Sequence, residues 1–172
     1  MGNELFDSMP SKVGDLLNDV QIGRIGLPDL QRPFVWPDAK ARELLDSMLK
    51  GYPIGYITLW QSPVEYEKAN QIGTDDKSYK QPDYLVIDGQ QRLTALLAAI
   101  KGVKVKDKNY AEHNIRISFN PLTREFAVWS QAYERNPEWI SEISAVFSAE
   151  KEQGVAKFRR QFIKNLNAAR EK

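Results

Sequence analysis

Tyr84-Leu85-Val86-Ile87-Asp88-Gly89-Gln90-Gln91-Arg92-Leu93-Thr94-Ala95-Leu96 sets the frame for the rest of the chain. Its first four residues are apolar and rich in β-formers, the composition of a buried strand. Asp88-Gly89 turns the chain, and Gln90 to Ile100 reads as a helix closed by Lys101-Gly102. Running a strand directly into a helix exposes that helix's first N–H groups, which lack partners and carry the positive end of the dipole. Glycine at the junction lets a ligand approach the backbone closely. Such a terminus suits an anion, and Arg92 can add a charge-assisted fork to a phosphate. Gln90 and Gln91 can position a water or contact a base or sugar. Asp88 can hold Mg²⁺ or orient a nucleophilic water. The same residues have a purely structural reading. Asp88 as N-cap with Gln91 three residues later is a capping box, and Arg92 can pair with a surface carboxylate. Neither G-x-x-x-x-G-K-[ST] nor G-x-G-x-x-G occurs anywhere in the chain.

Working outward, Ser11 to Asn18 reads as a short helix and Gln21 to Leu27 as a strand stopped by Pro28. Pro28, Pro33 and Pro37 fall within ten residues and fix an extended loop. On that loop Gln31-Arg32-Pro33-Phe34-Val35-Trp36 sets two polar side chains beside two aromatic ones, a rigid arrangement able to present donors to a ligand. Equally, Phe34 and Trp36 can anchor the loop while Gln31 and Arg32 satisfy backbone groups. Ala41, Leu44, Leu45, Met48 and Leu49 mark an amphipathic helix that opens at Pro37 and stops at Gly51 and Pro53. Gly55 to Gln61 reads as a strand, and Ser62 to Pro82 as a long polar excursion with a strand around Tyr66. Val103 to Lys106, Asn114 to Phe119 and Glu125 to Trp129 alternate as strands. Glu138 to Phe147 and Gln153 to Ala169 read as helices. His113 is expected in an exposed loop, Asp75 and Asp76 as solvated carboxylates, and Trp60 and Trp129 as packing residues.

The 172 residues suffice for about one domain with a sizeable core. With 42% hydrophobic and 27% charged residues, the chain is globular in composition. Absence of Cys removes disulfides, thiolate metal sites and Cys nucleophiles, and a single His removes sites needing two imidazoles from this chain. No membrane span or signal sequence is evident, so the expected location is cytoplasmic. The net charge of +1 hides an asymmetry. Lys151 to Lys172 holds seven basic and two acidic residues, a net of +5, leaving the first 150 residues at −4. Val155, Phe158, Phe162 and Leu166 form that segment's apolar stripe. Three regions are expected: an arm over 1–10, a domain over 11–150 and a basic amphipathic helix over 151–172.

Three blocks in order resemble a known family: Ile25-Gly26-Leu27-Pro28-Asp29-Leu30-Gln31-Arg32-Pro33-Phe34-Val35-Trp36, then Gly51-Tyr52-Pro53-Ile54-Gly55, then Ile87-Asp88-Gly89-Gln90-Gln91-Arg92-Leu93-Thr94. They are similar to the N-terminal domain (domain of unknown function 262) of GmrSD-type modification-dependent restriction enzymes and related phage-defence proteins, over roughly Ser11 to Trp129. The resemblance implies an α+β fold of ParB/sulfiredoxin-like type, a small mixed sheet with packed helices. It also implies binding of a nucleoside triphosphate (ATP, GTP, UTP or CTP) with Mg²⁺, and NTP hydrolysis coupled to restriction of modified DNA. Carried over by position, the nucleotide-binding residues are Gln31, Arg32, Asp88, Gly89, Gln90, Gln91, Arg92 and Thr94. Asp88, Gln91 and Arg92 take the catalytic roles, and Asp88 is the metal ligand. Family members usually continue into an HNH nuclease domain rich in histidine, so the resemblance implies modified DNA and an HNH nuclease, as domain or subunit, as partners. The chain is therefore read as an excised or stand-alone NTPase-type module that is not a nuclease alone. Self-association into a homo-oligomer is left open. The alternative is a non-catalytic module that senses nucleotide or contacts DNA through the basic tail.

Overall fold

The computed structural model describes residues 6–26, 34–61, 69–70, 77–78, 82–107, 109, 111–148 and 152–170. Among them the fold is α+β. Its elements are α1 (Val13–Gln21), β1 (Ile25–Gly26), α2 (Asp38–Leu49), β2 (Thr58–Gln61), β3 (Ala69–Asn70), β4 (Lys77–Ser78), β5 (Tyr84–Asp88) and α3 (Gln90–Lys101), followed by β6 (Val105–Lys106), β7 (Glu112–His113), β8 (Ile117–Asn120), β9 (Glu125–Val128), α4 (Gln131–Arg135), α5 (Ser144–Ser148) and α6 (Glu152–Arg170). A three-stranded mixed sheet has the order β1-β5-β2, with β1 parallel and β2 antiparallel to β5. Hairpins β3–β4, β6–β7 and β8–β9 complete the strand pairing.

Helix α3 is the hub. Leu93 through Ala99, seven consecutive residues, are all buried. A helix apolar on every face belongs in a core. Packed round it are Leu17 and Val20 of α1, Ala41, Leu44 and Leu45 of α2, Val86 of β5, and Val105, Ile115, Ile117 and Ile143. Full burial of a Leu contributes about 1.5–3 kcal/mol, so this cluster holds the domain together. Gly102 in the left-handed region (φ +68°) closes α3, as the sequence leads one to expect. With its sides buried, α3 meets solvent mainly at its ends.

Several elements differ from expectation. Gln21 belongs to α1, and Gly23 (φ +79°) turns the chain before β1, so among the described residues of the expected strand Ile25 and Gly26 pair with β5. The strand at the centre of the sheet is buried at Leu85 and Val86 but exposed at Ile87 and Asp88, where it emerges beside α3. The segment from Glu138 to Ile143 is not helical: a turn at Pro137 and Glu138 leads into a bridge at Ile140. Ile140 and Phe119 exchange backbone hydrogen bonds of 2.8 and 2.9 Å, the Ser118 hydroxyl donates to the Ser141 carbonyl (2.6 Å), and the Ile143 N–H donates to Ile117 (2.9 Å). Pairing along β8 outcompetes helical propensity there, leaving only the five residues of α5. Leu166 of α6 is buried and Phe158 and Phe162 are half-buried, so the tail's stripe is partly covered. Asp75, Asp76 and Tyr66 lie outside the described residues.

Candidate functional site

Strand β5 delivers Asp88 to the edge of the sheet, and Gly89 reverses the chain into α3 with φ +90°. A side chain there would strain the backbone and strike Ile57 Cδ1 at 2.5 Å. Gly89 is also the N-cap of α3, and no side chain caps the helix. The capping box expected from Asp88 and Gln91 is absent. Asp88 is the last residue of the strand, 74% exposed, and its carboxylate takes a 3.1 Å hydrogen bond from Arg92 Nη2.

Arg92 makes a second bond. Its Nη1 donates to the Ile54 carbonyl at 2.6 Å, and the side chain is only 18% exposed. Ile54 and Ile57 pack against the core and hold the returning chain in place. Gly55 (φ +83°) lies so close that a Cβ there would collide with Arg92 Nη1. Gln91 reaches the other way, its Oε1 accepting the Val35 N–H at 3.0 Å. Phe34 beside it is buried and bridges Asp107. Two neighbouring side chains in the first turn of α3 thus grip the chain entering α2 and the chain leaving it.

The remaining sequence candidates fall as follows. Gln90 is half-buried and has a partner. Thr94 is 2% exposed, so it sits behind the helix terminus within the core. Gln31 and Arg32 lie outside the described residues. His113 is not in a loop: it pairs with Val105 in β7, and its Nε2 is 2.6 Å from Asp38 Oδ1 at the start of α2. That contact ties the β6–β7 hairpin to the same α2 entry that Gln91 holds. Trp36 receives the Lys40 ammonium 5.6 Å from its ring centre. Trp129 packs beneath the Arg116 guanidinium at 3.6 Å, a structural role as expected. Among the described residues no group of three or more His, Asp or Glu side chains could hold a metal by itself.

Sequence reasoning took Gly51 and Pro53 only as a helix stop, apart from their place in a family block. It missed that Ile54 and Gly55 touch the strand-to-helix junction. The available signal was a second glycine four residues after Gly51, which a stop signal does not require.

The three blocks that are separate in sequence therefore meet at one place: Val35, Ile54 with Gly55, and Asp88 to Arg92. The model of the GmrSD restriction endonuclease N-terminal domain matches residues 13–172. The chain belongs to that family. The match extends past Trp129 through α5 and α6, further than the motifs alone suggest. An uncharacterized protein of Methanocaldococcus jannaschii is 33% identical over 102 residues, covering 55% of this chain. That alignment spans 18% of the archaeal protein, so the chain corresponds to a small part of its relative's length.

Proposed function

We propose that this GmrSD N-terminal domain binds a nucleoside triphosphate at the start of α3 and hydrolyses it, as the regulatory part of a modification-dependent DNA restriction system. The observation that carries the reading is the α3 terminus. It is a helix start without a side-chain cap, opened by a left-handed glycine, beside an exposed carboxylate and between two clasped loops. Backbone N–H groups there are oriented toward negative charge, and the dipole adds to the attraction. Gln31 and Arg32, four and three residues before Val35 in sequence, are assigned to the nucleotide by the family motif. Gly89 admits the ligand to the backbone, and Gln90 and Gln91 would contact sugar or orient water.

Phosphoryl transfer to water needs charge stabilisation more than covalent chemistry. The α3 amides supply it without reorganisation, and Asp88 accepts a hydrogen bond from the attacking water. The donor set fits Mg²⁺, which commonly takes one or two carboxylates plus phosphate oxygens and waters. Asp88 would hold it, and the ion would neutralise charge on the phosphates. Arg92 lies in the same turn as a cation already paired with Asp88. Release of labelled phosphate from ATP, GTP, CTP or UTP by the purified chain with Mg²⁺ is the expected result. Tight nucleotide binding without turnover would favour a sensing module.

Modified DNA and an HNH nuclease, carried as a further domain or a separate subunit, are the partners this reading assigns. Exposed Arg159, Arg160 and Lys164 on α6 favour a second, DNA-contacting role for the tail.

A further inference from the structure

The Arg92 guanidinium is occupied within the protein by Ile54 and Asp88. From the geometry we infer that Arg92 is a positioning residue: it fastens the Gly51–Ile57 loop to the α3 terminus and does not itself contact phosphate. The inference rests on the proposed nucleotide site for its functional consequence, but the clasp stands on separate observations.

Arg92 is mostly covered, with one terminal nitrogen on the Ile54 carbonyl at 2.6 Å and the other on Asp88 at 3.1 Å, so both ends of its fork are committed within the protein. The fork geometry of guanidinium allows both bonds at once, which a lysine ammonium on its single point of charge does not reproduce. Space around the group is matched to it. Cβ atoms at Gly55 and Gly89 would each meet Arg92, the latter 3.3 Å from Nη2, and both glycines hold left-handed φ values of +83° and +90°. Two glycines from distant parts of the sequence thus leave room for one planar group. A long side chain free to rotate onto a ligand would not need that clearance.

The consequence is a division of labour within one helical turn. Gln91 sets the loop entering α2, Arg92 sets the loop leaving it, and the α3 amides are left to face the ligand. Asp88, held by Arg92 at its Oδ2, is the exposed charged group that the clasp presents to solvent.

Four forms of the complete chain test this: wild type, Arg92→Lys, Arg92→Ala and Gly55→Ala. Two readouts are taken, amide hydrogen exchange of residues 52–57 without nucleotide and calorimetric titration with Mg²⁺ and each NTP. All three variants are expected to lose protection in the 52–57 loop. All three are also expected to weaken nucleotide binding by about tenfold or more, the scale of one lost charge-assisted interaction. Lysine should rescue neither readout, and Gly55→Ala should act although it removes no charged or polar side chain. Wild-type loop protection in Gly55→Ala and Arg92→Lys would overturn the clasp. Near-wild-type affinity in Arg92→Lys beside a large loss in Arg92→Ala would overturn it too, and make Arg92 a charge contact to phosphate. If wild type binds no nucleotide, the proposed function fails, while hydrogen exchange still decides the clasp.

Discussion

Asp88 shows how one residue can satisfy two sequence patterns and obey neither in full. The spacing to Gln91 fits a capping box, yet the carboxylate faces solvent from the end of β5 because Gly89, one residue later, takes the N-cap position. Its bond to Arg92 joins an exposed carboxylate to a mostly covered guanidinium four residues away, worth about 1 kcal/mol or less. Asp88→Asn should therefore leave the denaturation midpoint nearly unchanged, since no cap is lost, while Mg²⁺-dependent hydrolysis falls sharply. Thermal melts and phosphate release on the same preparation check both halves. Unchanged hydrolysis would remove Asp88 from the chemistry.

Among elements, α3 carries the strongest expectation. Leu93 is fully buried at the centre of the cluster, one turn from the candidate site. Leu93→Ala should cost about 2–5 kcal/mol by lost transfer energy plus cavity, read as a lower urea midpoint. Loss below about 1 kcal/mol would mean that α3 is not the hub. The helix α2 was legible from its apolar period, and the central strand and α3 from continuous apolar runs, each bounded by a glycine. The segment from Glu138 to Ile143 was not. Its residues suit a helix, and hydrogen bonds to Ile117, Ser118 and Phe119, some twenty positions earlier, hold it out of one. Similarly, Asp88 to Arg92 stood out as a site by composition, whereas the contacts of Arg92 with Ile54 and of Gln91 with Val35 span 38 and 56 positions. Local pattern carries no record of contacts that long. The bond between His113 and Asp38 escaped for the same reason.

For the molecule as a whole, charge and chemistry are segregated. The first 150 residues carry −4 and the last 22 carry +5, concentrated on α6. Val155, at the start of the apolar stripe, and Ile163 are exposed, while Leu166 is buried. DNA contact through α6 should be electrostatic and weaken steeply between about 50 and 200 mM salt. Read as a nucleotide-binding module whose one histidine is bonded to Asp38, the chain alone is expected not to cut DNA. Plasmid incubated with the purified chain, Mg²⁺ and NTP should stay supercoiled; nicking abolished by Asp88→Ala would make the domain a nuclease in its own right.

Phosphate of a bound nucleotide is expected on the first turn of α3. Titrating isotopically labelled chain with Mg²⁺ and each NTP, while following backbone amide resonances, tests it most directly. Gly89, Gln90 and Gln91 should show the largest saturable shifts, with the Gly51–Ile57 loop following. Amides at that turn that stay unmoved by all four nucleotides, or shifts confined to α6, would contradict the account.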